Sequence, residues 1–172
     1  MTNGLNALNL EAYEATRDAV SRDPDAGKGS FEAITEWREG AQAVTRARSF
    51  TIETDEPESL GGRDEQIDPM ELLLASLGTC LTIGWVTKAR QRDVDFRSLR
   101  IRVSAPFDLR GYLNTDTSVR PGFTELAYTV EVDSDADADT LEEIRKAAEH
   151  SSPMFDNILN ATPVRGEVSK TF

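Results

Sequence analysis

The chain has 172 residues, of which 38% are hydrophobic and 29% are charged, and its formal net charge is −12 at pH 7. This length and composition are typical of one soluble globular domain that can bury a core. The negative charge argues against nucleic acid and an anionic membrane surface as partners, because both are negatively charged themselves.

Cysteine and histidine are scarce, with Cys80 and His150 as the single examples of each. One cysteine excludes an internal disulfide and a cysteine-clustered zinc or iron–sulfur site, and one histidine leaves no mixed metal cluster. We therefore expect neither a metal nor a cofactor. Residues 1–10 lack the basic start and apolar core of a secretory signal, which predicts a cytoplasmic protein.

Residues 1–29 are predicted to be a helical extension and linker in front of the main domain, residues 30–172. Apolar residues recur at steps of three and four over residues 5–22, which predicts an amphipathic helix. Turn-forming residues follow at 23–29 and end it. The extension could pack on its own domain or on a partner subunit. Its apolar face consists of Leu5, Leu8, Ala12, Ala15 and Ala19.

A β-hairpin is predicted next. Residues 31–37 alternate between apolar or small and polar side chains, residues 38–40 suit a tight turn, and residues 41–54 alternate again as a longer strand. A loop over residues 55–67, rich in Asp, Glu, Gly and Pro, leads to the following helix.

The longest apolar run in the chain predicts a central helix over residues 69–92. Asp68 is a good N-cap, Pro69 suits the first turn, and the negative charge of Glu71 is stabilised by the positive end of the helix dipole. Apolar or small residues surround most of its length, which predicts burial on nearly every side. Gly78 and Gly84 each cost about 1 kcal/mol relative to alanine, so we expect another backbone to approach closely there.

The remaining elements complete an α+β domain, in which antiparallel sheets pack around the central helix. That helix is more apolar than one sheet face can cover, so we expect a second copy of the chain to cover the rest. The patterns predict strands at residues 96–107, 123–132 and 164–172, a polar loop at 110–121, an acidic helix entry at 135–139, and helices at 140–150 and 154–159.

Cys80 allows two interpretations. A lone cysteine in an apolar helix is commonly a small buried side chain without reactivity. Alternatively, its thiolate could attack the O–O bond of a peroxide, if a nearby cation stabilised the negative sulfur. The candidates for this cation are Arg38, Arg46, Arg48 and Arg63. Each of these arginines could equally be an ordinary charged residue on the surface.

Glu71 cannot touch the sulfur of Cys80 from the same helix. The two residues are separated by about 13 Å along the axis, at ~1.5 Å rise per residue. Glu71 could instead hold an arginine that arrives from the sheet or from a partner subunit, or it could simply favour the helix start.

Four segments together resemble the OsmC/Ohr family, and the resemblance extends over about residues 30–172. They are residues 37–40 (WREG), 60–62 (LGG), 68–80 (DPMELLLASLGTC) and 148–153 (AEHSSP). The resemblance implies an OsmC-like fold as an intertwined homodimer, with buried central helices and two active sites at the subunit interface. It further implies a thiol peroxidase for organic hydroperoxides, with Cys80 as the peroxidatic cysteine and Arg38 as the catalytic arginine.

Two positions depart from the family pattern. Ser152 occupies the position of the resolving cysteine, so no disulfide with Cys80 can form. Met70 occupies the position of the catalytic glutamate, and Glu71 is one residue further along the helix. The chain therefore resembles the broader OsmC-like branch more than the organic hydroperoxide resistance proteins.

Two functional hypotheses follow. The first is a one-cysteine hydroperoxide reductase, in which Cys80 is the nucleophile, Arg38 stabilises the thiolate, Glu71 positions the arginine, and an external thiol reduces the sulfenic acid. The second is a binding protein that holds an apolar or thiol-bearing small molecule at the dimer interface, with Cys80 lining the pocket.

Overall fold

A computed structural model describes residues 4–170 and, within them, places two antiparallel sheets and five α-helices. The helices are α1 (Leu10–Arg22), α2 (Pro69–Arg90), α3 (Leu109–Tyr112), α4 (Ala138–His150) and α5 (Pro153–Leu159). The strands are β1 (Ile34–Glu39), β2 (Gln42–Ala47), β3 (Phe50–Thr54), β4 (Phe96–Ser104) and β5 (Ala127–Ser134). The predicted α+β class is confirmed.

The first sheet has the order β1-β2-β3, and both of its strand pairs are antiparallel. The predicted turn at residues 38–40 is wrong, because Arg38 and Glu39 belong to β1. The single strand predicted over residues 41–54 is also wrong, because a turn at Arg48 and Ser49 divides it into β2 and β3. Arg48 adopts a φ of 56°, in the left-handed region that glycine or asparagine more often occupies at turns.

Helix α2 starts where its sequence predicts and ends two residues earlier. The Asp68 side chain accepts hydrogen bonds from the backbone N–H groups of Met70 and Glu71, and the Glu71 carboxylate accepts one from the Asp68 N–H. This reciprocal capping box satisfies N–H groups that a helix start otherwise leaves without partners. Beyond Arg90 the chain turns, and Asp93 adopts a φ of 53°.

The second sheet pairs β4 with β5 in antiparallel register, with Ile101 opposite Val130. Strand β4 ends at Ser104, two residues before Pro106, which has no N–H for a strand ladder. Strand β5 begins at residue 127 rather than 123, and α4 begins at residue 138 because Asp137 caps it. The segment predicted as a polar loop contains the short helix α3.

The core lies where α2 and α4 pack together beside this second sheet. Its buried centre consists of Trp85, Ala89, Ile144 and Ala148. A Cβ atom on Gly84 would lie 3.2 Å from the Ala148 Cβ, and one on Gly78 would lie 3.3 Å from a methyl group of Val103. The predicted approach of another backbone is therefore confirmed at Gly84, where the Ala148 Cα lies 3.5 Å from the added Cβ, whereas Gly78 meets a side chain instead.

The sequence predicts that α2 is buried on nearly every side. Within residues 4–170 of one chain, α2 is buried on one face and exposed on the other. Its buried residues lie on the face toward β4 and α4, whereas Ile83 in the same helix is 61% exposed. Trp37, Phe50 and Ile52 on the first sheet are exposed as well. One chain thus leaves apolar surface in contact with water on both α2 and the first sheet.

By length and composition, α2 is the one helix among the described residues that could cross a membrane. Core helices of soluble proteins pass the same test, and α2 packs one face against β4 and α4. This property is therefore weak evidence for a membrane span.

Both ends of the chain differ from the predictions. Helix α1 begins at Leu10 rather than residue 5, because the Asn9 side chain caps it, and Gln91 at the end of α2 donates a 2.6 Å hydrogen bond to Glu14. The strand predicted over residues 164–172 is wrong for residues 164–170, which pair with no strand here. Residues 171 and 172 lie outside the described residues.

Candidate functional site

The buried carboxylate of Asp55 organises the loop that leads into α2. Asp55 is 1% exposed and accepts hydrogen bonds from the backbone N–H groups of Glu56 (2.9 Å) and Arg63 (3.1 Å). The Gln42 side chain and the Glu65 backbone N–H also donate to it, both at 3.4 Å. A Cβ on Gly62 would lie 1.8 Å from the Glu56 carbonyl oxygen, so glycine is required at this point of the loop.

Burial by itself would raise the pKa of Asp55, but these donors outweigh it and hold the pKa below its ordinary value. We expect Asp55→Asn to lower the thermal unfolding midpoint by about 5 °C, because an amide NH₂ would face N–H donors. The difference in unfolding midpoint between the variant and wild type should have its full size above about pH 4. It should shrink as the pH falls through the pKa of Asp55 in the folded protein. Thermal unfolding followed from pH 3 to 7 measures this, and Asp64→Asn is an exposed control in the same loop. Equal midpoints at pH 7 would contradict the role.

Cys80 and Ser152 are brought together by the packing of α2 against α4. Cys80 is half-buried, and its Sγ lies 3.2 Å from the Oγ of Ser152, which is 5% exposed. Ser152 stands at the junction of α4 and α5, where its Oγ accepts a 3.1 Å hydrogen bond from the Phe155 N–H and caps α5. The thiol and the position predicted for a resolving cysteine are therefore in direct contact.

The four arginines predicted as partners of Cys80 bind elsewhere within residues 4–170. Arg38 Nη1 lies 3.4 Å from Glu53 Oε1 on the same sheet, and both side chains are exposed. Each of the others also has a partner on or beside the first sheet, and none contacts the sulfur in one chain. Arg46 pairs with Glu36, Arg48 lies 5.0 Å from the Phe50 ring centroid, and Arg63 lies 2.9 Å from Glu39.

Glu71 and Met70 both lie in the first turn of α2, away from Cys80. The Glu71 carboxylate takes part in the capping box, so its helix-start interpretation has direct geometric support. Met70 is partly exposed beside it. In one chain, neither residue shares a hydrogen bond or an ion pair with Arg38 or Cys80 among the described contacts.

A polar group near this junction has no counterpart in the sequence predictions. The Tyr128 hydroxyl donates to Glu149 and accepts from Arg145 Nη1 at 3.1 Å, and the Tyr128 ring meets Phe155 edge to face. Burial, followed by the bond to Glu149, raises the pKa of Tyr128. Arg145 also forms an ion pair with Glu142, so its guanidinium is paired with two carboxylates, those of Glu142 and Glu149. The alternation of β5 marks Tyr128 only as an inward-facing strand residue.

An open groove of about 440 Å³ lies between α2 and β4, and its lining does not include Cys80. Among the described residues, no group of His, Cys, Asp or Glu side chains is arranged to hold a metal ion. Within residues 4–170, the hydrogen-bond partner of the Cys80 thiol is thus the Ser152 hydroxyl, and no ion pair or hydrogen bond joins the sulfur to a cation. The groove is lined by Leu74, Ala75, Gly78, Thr79, Thr82, Ile101 and Val103.

This fold, with its single thiol on a long helix beside the α4–α5 junction, matches one protein family. The family model described as OsmC-like protein matches residues 62–167, which is more than half of the chain. The chain therefore belongs to the OsmC family. No curated protein matches it.

Solved structures support the same fold at low sequence identity. An OsmC-like protein from Mycoplasma pneumoniae is 15% identical, with a TM-score of 0.67 over 78% of this chain and 90% of that one. An organic hydroperoxide resistance protein from Legionella pneumophila is 14% identical, with a TM-score of 0.56 over 76% and 91%. A Vibrio cholerae protein with captopril bound in one of its active sites is 13% identical, with a TM-score of 0.54 over 78% and 88%.

Proposed function

We propose that this chain is a cytoplasmic one-cysteine hydroperoxide reductase that acts on organic hydroperoxides and depends on an external thiol. The observation that supports it most is the 3.2 Å contact between Cys80 Sγ and Ser152 Oγ. A resolving cysteine must reach the peroxidatic one, and the two positions that the family resemblance pairs are adjacent here. Membership of the OsmC family and the Legionella pneumophila neighbour support the same reaction class.

The proposed reaction begins with the Cys80 thiolate attacking the terminal oxygen of a hydroperoxide, ROOH. The S–O bond forms as the O–O bond breaks, and the leaving alkoxide takes a proton to become ROH. Cys80 is thereby oxidised to a sulfenic acid, and the peroxide is reduced. Ser152 cannot condense with it, so an external thiol forms a mixed disulfide and releases water. A second thiol then regenerates Cys80 and leaves as a disulfide.

The active unit in this proposal is a homodimer. One chain leaves Ile83 on α2 and Trp37 on the first sheet largely exposed, and the first sheet has few contacts with the helices among residues 4–170. A second copy would cover these apolar faces and could bring its own Arg38 toward Cys80. Glu71 would then position that arginine. Cys80 has a hydroxyl partner in one chain, and the proposed partner copy adds the cation.

Intact mass after one equivalent of cumene hydroperoxide tests the first step. We expect the wild-type chain to gain one oxygen atom within seconds, and dimedone to trap the product at Cys80. The Cys80→Ser variant is the matched control, because it retains all three methionines, the other residues that take up oxygen readily. A wild-type mass that stays unchanged, or rises equally in the control, would contradict the proposal.

The second candidate is a small-molecule binding protein with the same site. Met70 and Ser152 in place of the family's glutamate and cysteine favour it, as does the captopril held by the Vibrio cholerae neighbour. An unmodified wild-type mass, together with saturable captopril binding by calorimetry, is the result that would favour this function.

A further inference from the structure

We infer that the Ser152 hydroxyl acts on Cys80, donating a hydrogen bond that holds the sulfur in its anionic form. The inference rests on the proposed function for its use, since a peroxide-reducing thiol reacts as the thiolate. It gives Ser152 a role of its own, whereas the family resemblance marks that position only by the cysteine it lacks.

The direction of this hydrogen bond follows from the other contacts of Ser152. Its Oγ already accepts from the Phe155 N–H at 3.1 Å, so the hydroxyl proton is free to be donated. When Cys80 is neutral, either atom of the 3.2 Å pair could be the donor. When Cys80 is ionised, the sulfur has no proton, and only the hydroxyl can donate.

The surroundings of the pair make this donor important. Ser152 is 5% exposed, so water has little access to its hydroxyl. No acceptor other than Cys80 Sγ hydrogen-bonds to that hydroxyl proton in the part of the chain described. A hydrogen bond to an ionised group is stronger than one between neutral groups, and low local polarity strengthens it further.

The backbone also fixes the hydroxyl in place. Ser152 is the N-cap of α5, and its own N–H donates to the Glu149 carbonyl at 3.1 Å, which ties the residue to the end of α4. Helix α4 is held against α2 by the close contact of Gly84 with Ala148, one helical turn from Cys80. The donor and the sulfur are therefore positioned by the same helix pair.

The test is the rate of Cys80 alkylation by iodoacetamide as a function of pH, in the full chain. One cysteine makes the reading unambiguous. We expect Ser152→Gly and Ser152→Ala to raise the midpoint of the profile by about one pH unit, so that alkylation at pH 7 slows about tenfold. Glycine is the more informative change, because it caps a helix nearly as well as serine. Ser152→Thr retains the hydroxyl, so its midpoint should stay close to that of wild type.

Ser151→Ala is the matched control, because the neighbouring hydroxyl is exposed and donates to the Ala147 carbonyl rather than to Cys80. Its midpoint should equal that of wild type. A midpoint that is unchanged in folded Ser152→Gly, or raised equally in Ser151→Ala, would overturn the inference. The inference and the proposed function can fail separately: a shifted midpoint in a protein that reduces no peroxide would reject the function alone, and an unshifted one in an active reductase would reject the inference alone.

Discussion

Replacing Cys80 with serine should abolish the reduction of organic hydroperoxides, with a loss of at least about 100-fold in the steady-state rate. A serine hydroxyl is scarcely ionised at neutral pH and is a far weaker nucleophile toward the O–O bond than a thiolate. Consumption of cumene hydroperoxide, with dithiothreitol or a small monothiol as reductant, measures the effect. Because Cys80 is the chain's single cysteine, no other residue can take over its role.

Two controls make this result specific. Ser151→Ala changes a hydroxyl next to the site without touching Cys80, and it should retain the wild-type rate. Hydrogen peroxide serves as the second substrate, and it should be consumed more slowly than the organic peroxide if the proposed preference for organic hydroperoxides holds. If Cys80→Ser consumed peroxide as fast as wild type, the thiol would have no part in the reaction.

The features that local sequence determines were predicted most closely. Asp68, Pro69 and Glu71 form a helix start whose partners all lie within one turn, and the structure confirms Asp68 as the N-cap and adds a capping box with Glu71. The two helical glycines predicted the close approach of another backbone, and the distances at Ala148 confirm it for Gly84, whereas Gly78 meets the Val103 side chain. Such features depend on short-range sterics and hydrogen bonding, which a sequence states directly.

The errors lie where the structure depends on distant partners or on an unusual turn. The turn at Arg48 and Ser49 contains no glycine, proline or asparagine. Nothing in the alternation from residue 41 to residue 54 therefore marked the end of a strand. Residues 164–170 have a strand-like composition, but a strand requires a neighbouring strand with which to exchange hydrogen bonds, and none of the five described strands pairs with this segment.

The candidate site shows the same division. Cys80 and Ser152 are 72 positions apart, and only the family resemblance linked them before the structure placed them in contact. Arg38 was proposed from the same resemblance, yet its partner within one chain is Glu53. Residue types identify the groups that are able to react, whereas their assembly depends on tertiary and quaternary contacts that no local pattern contains.

Quaternary structure therefore leads to the second large effect, at the exposed apolar face of α2. We expect the wild-type chain to sediment at twice its mass of 19.0 kDa, and Ile83→Asp to sediment as a monomer. Ile83 is 61% exposed in one chain, so aspartate costs little there, but burying its carboxylate against a second copy would be strongly unfavourable. Sedimentation velocity at micromolar concentration distinguishes the two states.

The same variant tests whether the site needs both copies. If a second chain brings the cation to Cys80, the Ile83→Asp monomer should reduce cumene hydroperoxide at least about tenfold more slowly, while circular dichroism shows a folded chain. Ser98→Asp introduces the same charge on the exposed outer face of β4 and should remain a fully active dimer. A folded Ile83→Asp monomer with the wild-type rate would show that one chain contains everything the thiol requires. The Ser152 hydroxyl would then have to stabilise the Cys80 thiolate by itself, a role that we assign jointly to this hydroxyl and to Arg38 of a second copy.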